Sequence, residues 1–379
     1  MFTEKLGTKQ IKINSYFDGL DDYDNWVGID YSQKTMAIAK LGRKDKTPKV
    51  VELATNIEVL KMYFKNLNGR TILTIEETTS THYLYVELYG YVTKIVICDP
   101  YTNKLINSGP SNDKIDAKKL CTLLRGGFVK EVFHSLDKLY NLRVLVSGYE
   151  DLIKRGVRAQ NQKSAIFRME GKEYTKKVSS AMLAGNFAKF VSAGLDEEVE
   201  LYFKKKKEYD DTFKRLCKKD KTLNHQTGIP GIAEVNAVKI IATVVDASRF
   251  KNSNKYLSYS GLVKNEKWSG GKKYGKRMPR YIRRLKEVYK TAALAAIGGN
   301  NSIKEYYEEM INNGIPEDRA RNKIARYIAK ISYGVMKEGH KYEPYRWRKN
   351  KKEARIESSN KNESKIKNTN TGSIKTKAR

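Results

Sequence analysis

Four carboxylates and one serine are the residues in this chain whose types and spacing could do chemistry. Asp30 closes the apolar run WVGID, and Glu76 closes TILTIE. Asp113 and Asp116 stand three apart at the start of a predicted helix and so share one face. Carboxylates arriving from two strand ends and a helix offer the hard oxygen ligands that magnesium takes. The ion would absorb charge developing on a phosphoryl group. Each acid also has a plainer reading: a turn residue at a strand end, or a complement to the dipole in a first helical turn. The order of the four on alternating elements is more specific than any one of them.

The serine is Ser269, in KWSGGKKYGKRMPRYIRR (residues 267–284). Gly270 and Gly271 would let a backbone approach it closely. The lysines and arginines around it suit a polyanion. Local chemistry leaves two readings open, a spacer in a basic loop or a nucleophile aimed at a phosphate. A free serine hydroxyl is a weak nucleophile and needs a base or a metal. No histidine lies near Ser269 in sequence, which disfavours a Ser-His-Asp arrangement.

The elements that must position these residues follow from the texture of the chain. Its 379 residues are enough for two or three domains, and 40% are hydrophobic, enough for packed cores. Residues 1–24 read as a polar leader. Residues 25–130 read as three strands followed by alternating helices and strands, a mixed α/β sheet. Residues 131–222 hold little glycine and recurrent apolar positions among charges, the pattern of long helices and a coiled-coil hairpin. Residues 223–345 read as mostly helical. Within them TGIPGIAEVNAVKIIATV has the look of a helix-hairpin-helix turn, with an ordinary helix-entry turn as the alternative. Residues 346–379 have 12 Lys/Arg against 3 Asp/Glu and read as a disordered basic tail.

A formal net charge of +31 and a pI near 9.7 call for a polyanionic partner. The charge is spread along the chain rather than gathered on one amphipathic helix, which favours nucleic acid over a membrane surface. No run of 18 apolar residues occurs, so no transmembrane helix is expected. The N-terminus lacks a secretory h-region, and the three cysteines show no metal-ligand spacing. A reducing cytoplasm, with association to the nucleoid, is the expected location.

At this point the sequence resembles a known family. VGIDYSQKT, IEETTSTHY and SNDKIDAKKL are similar to the RuvC-like, RNase H-type domain of DEDD transposases. TGIPGI, YSGLV, SGGK, RYIRRL and KTAAL resemble the C-terminal transposase domain of the same family. That family is the IS-one-ten group of insertion-sequence transposases, bridge-RNA-guided serine recombinases. The resemblance spans roughly residues 25–345 in the correct order. It implies that Asp30, Glu76, Asp113 and Asp116 bind Mg2+ (or Mn2+), and that Ser269 attacks the DNA backbone to form a transient phosphoserine link. Lys272, Lys273, Arg277 and Arg280, with Arg283 and Arg284 in the same run, would clamp nucleic acid. Donor and target DNA, a structured bridge RNA and further copies of the chain in a dimer or tetramer are the implied partners.

The departures from the family pattern are local. Glu77 stands where an alanine is usual and is a second candidate acid, although strand alternation points it away from Glu76. Trp268 replaces a serine before Ser269. It is expected to pack against protein, with stacking on a base or sugar as the alternative. A junction nuclease that uses metal and water, with Ser269 structural, is the runner-up. A decayed transposase that only binds nucleic acid is a third reading, disfavoured by the intact acids and serine.

Overall fold

The computed structural model describes residues 19–101, 112–136, 139–175, 179–346 and 348. Most of the polar leader, most of the loop that follows Pro100, and nearly all of the basic tail lie outside the described residues. The chain divides into two compact units, split between Tyr140 and Asn141.

The first unit is a six-stranded mixed sheet. Its strands are β1 (Asn25–Tyr31), β2 (Thr35–Gly42), β3 (Lys49–Ala54), β4 (Thr71–Glu76), β5 (Lys94–Cys98) and β6 (Glu131–Val132), in the order β3-β2-β1-β4-β5-β6. β1 to β3 form an antiparallel meander, and β1, β4 and β5 run parallel. The parallel strands are joined by helices α1 (Ile57–Lys65) and α2 (Thr81–Leu88), and α3 (Asp113–Arg125) follows β5. The mixed α/β sheet expected over residues 25–130 is therefore present, with β6 as an addition that its two residues gave no pattern to find.

Alternation sorts the strands onto two cores. Val27, Ile29, Leu73, Ile75, Ile95 and Ile97 face the side that packs Leu60 and Phe64 of α1 and Leu84 and Leu88 of α2. Trp26, Ala37, Ala39, Ile72, Val96 and Cys98 face Ala117, Leu120, Cys121 and Leu124 of α3. Both faces are covered, which is why WVGI and TILTI read as continuous apolar runs. Gly28 lies on the α3 face. A Cβ there would come 2.5 Å from the Cys121 nitrogen and 2.7 Å from the Ala117 carbonyl, so only glycine admits the helix this close. Asn112 caps α3, its Oδ1 accepting from the Ile115 N–H at 2.9 Å.

The second unit is almost wholly helical. α4 (Tyr140–Met169) and α5 (Asn186–Lys219) pack as an antiparallel hairpin. Tyr149 meets Phe213 edge-on at 5.2 Å, Gly156 accommodates the Tyr202 ring, and Lys163 pairs with Asp196. The long helices expected in residues 131–222 are thus formed. α6 (Lys221–Thr227), α7 (Glu234–Val244), α8 (Ser253–Tyr259), α9 (Arg283–Gly298), α10 (Ser302–Asn312) and α11 (Glu317–Glu338) follow. A buried chain of hydroxyls links Tyr256, Tyr289 and Ser332, and Ser332 reaches Gln226 at 2.8 Å.

The GIPG segment forms the turn between α6 and α7. Its Gly231, at φ +87, is pressed against the α9 backbone, where a Cβ would meet the Ala292 carbonyl oxygen at 2.0 Å. Ile229 and Ile232 are buried beside it. The glycine serves helix packing, which accounts for the motif as an ordinary helix-entry turn. Between α8 and α9 stands a two-stranded antiparallel hairpin, β7 (Asn265–Ser269) and β8 (Lys272–Arg277). Among the described residues no helix is long and apolar enough to cross a membrane.

Candidate active-site residues

The parallel register of the first unit sets the acids. Ile29 pairs with Ile75, and one step further along the strands Asp30 comes beside Glu76. Strands in a sheet lie about 4.8 Å apart, and paired residues point to the same side. Asp30 lies two residues beyond Gly28, on the face that carries α3. The helix runs antiparallel to β1: Cys121 reaches the Trp26 carbonyl through its thiol, and Ala117 lies at Gly28. One turn earlier in α3 come Asp113 and Asp116, at the end of the sheet where Asp30 and Glu76 stop.

The electrostatics report the same convergence. The Asp30 carboxyl is pushed up to about 6, first by burial and then by the charges of Asp113, Asp116 and Glu76. Glu76 is also raised, by burial and by Asp116. Lys119 offsets part of this charge by pairing with Asp116 at 3.2 Å. Among the described residues, however, no three acidic, His or Cys side chains already stand within ligating distance of one point. The acids share a field without forming a closed cage. That arrangement fits Mg2+, which keeps several waters and takes only one or two carboxylates together with substrate phosphates. An all-carboxylate donor set suits a hard cation, and burial together with neighbouring acids raises both Asp30 and Glu76.

Glu77 is exposed and lies past the strand end, with its N–H donating to the Cys98 carbonyl at 3.0 Å. Thr74, on the same face as Glu76, is fully buried with no hydrogen-bond partner for its hydroxyl. Nothing in TILTIE distinguishes that threonine, so sequence reasoning had no signal for it.

Ser269 is the last residue of β7 and pairs with Lys272 across the turn. Gly270 and Gly271 form that turn with φ of +54 and +73, the left-handed pair of a two-residue type I′ hairpin, and a Cβ on either would meet nothing within 4 Å. The glycines thus serve the backbone conformation of the tip. Every residue of β7 is exposed. One face of the ribbon carries Ser269 and Lys272 with Lys267; the register shifts between Lys267 and Trp268 so that Tyr274 has no partner in the ladder, and its ring lies 5.7 Å from the Lys267 ammonium. The other carries Trp268, Glu266 and Lys273, with Glu266 and Lys273 ion-paired.

Trp268 is not buried in a core: 60% of its surface is exposed, and its side chain donates a hydrogen bond to Glu266 on the same ribbon. The reason is its place on a ribbon that lies on the surface of its unit rather than under it. The basic residues also separate. Arg277 and Arg280 are exposed, and Arg283 is exposed beside Glu287. Arg284 differs: Glu150 accepts from its Nε at 2.9 Å and from a terminal nitrogen at 2.7 Å, and Lys239 completes the cluster at 3.5 Å. This guanidinium braces α9 against α4, with two of its nitrogens engaged inside the protein.

Residues 225–308 match the sequence model of the transposase IS116/IS110/IS902 family. A stretch of 118 residues is 27% identical to the 43.6 kDa protein of insertion element IS110 from Streptomyces coelicolor, covering 31% of this chain and 29% of that protein. The chain thus matches under a third of the relative's length. The resemblance to the IS110 group first drawn from motifs is shared by both comparisons. The segment from α6 into α10, with the Ser269 hairpin, lies inside the family match, and the four acids of the first unit lie outside it.

Proposed function

We propose that this protein is a DNA transposase of the insertion-sequence kind, which excises and integrates an element by cleaving and rejoining DNA strands through Ser269. The observation that carries the reading is the place of Ser269: an exposed hydroxyl at a glycine turn, opposite Lys272, within the segment that matches a transposase family. A two-stranded ribbon of this kind has the dimensions that the major groove of DNA admits.

In this reading the Ser269 hydroxyl attacks a backbone phosphorus. An Oγ–P bond forms, the bond from phosphorus to one sugar oxygen breaks, and that oxygen leaves with a proton. One phosphodiester becomes another, so no oxidant or external energy source is consumed, and a sugar hydroxyl attacking the phosphoserine restores the DNA. Lys272 neutralises the phosphate from the cross-strand position, with Arg277 and Arg280 as further backbone clamps. Asp30, Glu76, Asp113 and Asp116 would hold Mg2+, which supplies Lewis-acid stabilisation of the charged phosphoryl group. The sheet that carries them is read as RuvC-like on the strength of the motif resemblance. Guidance by a bridge RNA rests on that resemblance together with the basic charge and the 25 tyrosines of the chain.

The test is a denaturing-gel search for covalent protein–DNA adducts on a plasmid carrying the element and its flanks. The wild-type chain forms them, and Ser269→Ala forms none while still binding DNA and RNA. An adduct formed by Ser269→Ala would sink the proposal. The convergence of four acids in a unit outside the family match favours a second reading, a metal-dependent junction nuclease. That enzyme would keep full cleavage in Ser269→Ala.

A further inference from the structure

The tip of the β7–β8 hairpin carries two large aromatic side chains that no core uses. Trp268 is 60% exposed and Tyr274 65%. A solvent-facing ring contributes little to folding, and a two-stranded ribbon gains stability chiefly from what it packs on. The two rings lie on different faces. Trp268 shares its side with the Glu266–Lys273 pair, where charge is already neutralised. The Tyr274 ring lies against Lys267, whose strand position alternates onto the side of Ser269 and Lys272, away from the Glu266 carboxylate.

Distance supports a shared ligand. Lys272 is directly opposite Ser269, and Tyr274 is the extra residue of β8 where the register shifts between Lys267 and Trp268, with its ring 5.7 Å from the ammonium of Lys267 on the strand that ends at Ser269. A phosphate at Ser269 and Lys272 would therefore place an adjoining base within reach of the Tyr274 ring. Lys267, beside the ring, is placed to meet the next phosphate. Bases present a π-face whatever their sequence, and an exposed ring among cations is the platform they stack on.

We propose that Tyr274 is a base-stacking residue that holds an unpaired base of the DNA strand whose phosphate Ser269 addresses. The inference rests on the reading of Ser269 as the DNA-reactive group. Stacking fixes the strand against sliding, so the phosphate stays in register with the hydroxyl. Unpaired bases occur where a duplex opens for strand exchange, and a fully stacked duplex would not offer one.

The experiment uses the full-length chain in a Ser269→Ala background, so that binding is read without chemistry. The probes are a DNA oligonucleotide with 2-aminopurine in an unpaired stretch, the RNA of the same sequence, and a fully paired duplex. Tyr274→Leu is expected to weaken binding to the unpaired DNA about tenfold. It should also abolish the stacking-dependent quench of 2-aminopurine, and leave duplex binding and the salt slope unchanged. Tyr274→Phe keeps the quench, because the ring and not the hydroxyl is needed. Lys272→Ala reduces the salt slope instead.

Trp268→Leu, on the opposite face, should change none of these readings, and all variants should melt with the parent. Unchanged binding and quench in Tyr274→Leu would overturn the inference. So would an effect confined to RNA, or one that follows Trp268 rather than Tyr274. Adduct formation, measured separately with Ser269 restored, decides the reading beneath. If adducts depend on Ser269 but Tyr274→Leu binds normally, only the stacking role fails. If Tyr274→Leu loses binding and adducts persist without Ser269, only the nucleophile fails.

Discussion

Asp30 and Glu76 stand at the carboxyl ends of neighbouring parallel strands, each one residue beyond the Ile29–Ile75 pair. The pairing brings two acids 46 positions apart in sequence to one side of the sheet. It also places them at the carboxyl ends of their strands, where α/β sheets commonly bind ligands.

The shared field is measurable. In the metal-free protein Asp30 should titrate near 6, against an ordinary value of 3.8, and Asp116→Asn should lower it. A group whose folded-state value is raised favours folding when protonated. Its contribution is complete below about 3.8 and is lost as pH rises through about 6. Carboxyl NMR over that window checks both statements, and an Asp30 titration that Asp116→Asn leaves unchanged would mean that the acids do not converge.

Ligation should separate the acids. Asp30→Asn removes an oxygen ligand and is expected to abolish cleavage and to weaken Mg2+ binding at least tenfold by calorimetry. Glu77→Gln, exposed beyond the strand end, should leave both unchanged.

Gly28 is a packing requirement. Gly28→Ala sets a Cβ 2.5 Å from the Cys121 backbone nitrogen, and backbone cannot rotate away. A loss of about 1–3 kcal/mol is expected in denaturant unfolding. Displacement of α3 should also shift Asp113 and Asp116 away from Asp30, so the Asp30 titration falls with stability.

The hairpin turn should behave in the opposite way. Gly270→Val forces a β-branched residue to φ +54 in open space, and Gly270→Asn, a residue that type I′ turns accept, does not. Strand transfer is expected to fall at least tenfold in the valine variant and to survive in the asparagine variant. Global melting should be unaffected in both, because the exposed ribbon adds little to the core of its unit.

Arg284 should act as a brace. Burial raises the Glu150 carboxyl, but the Arg284 hydrogen bonds and charge, helped by Lys239, outweigh it and hold the group below its ordinary 4.5. Arg284→Ala is expected to cost about 1–3 kcal/mol, with a salt slope for DNA binding close to wild type. A depressed carboxyl stabilises the fold above about 4.5 and ceases to do so as pH falls below it. The acid limb of the stability profile should therefore flatten in the variant.

Much of this was legible in the residues alone. The two-face burial of β1 and β4 wrote continuous apolar runs, and the acids that end them were the first polar residues after each run. The three-residue spacing of Asp113 and Asp116 at the start of a helical pattern gave the face that they share. At three places the structure adds what local sequence could not supply. Trp268 was expected to pack because large rings usually do, but local sequence does not say that a hairpin stands clear of its unit. Arg284 resembled its neighbours in RYIRRL, and the carboxylate that occupies it is 134 positions away in Glu150. The glycines of GIPG suited a phosphate turn equally well, until Gly231 met the α9 backbone.

Sequence by itself determined what is local or periodic: the mixed strands and helices of residues 25–130, the long helices after them, the acids that close the apolar runs and the charge that demands a polyanion. Tertiary structure decided which distant groups share a field, which cations are already paired, and which face of the hairpin a tyrosine occupies. Those depend on register and packing between elements far apart in the chain, where a shift of one residue turns a side chain to the opposite face.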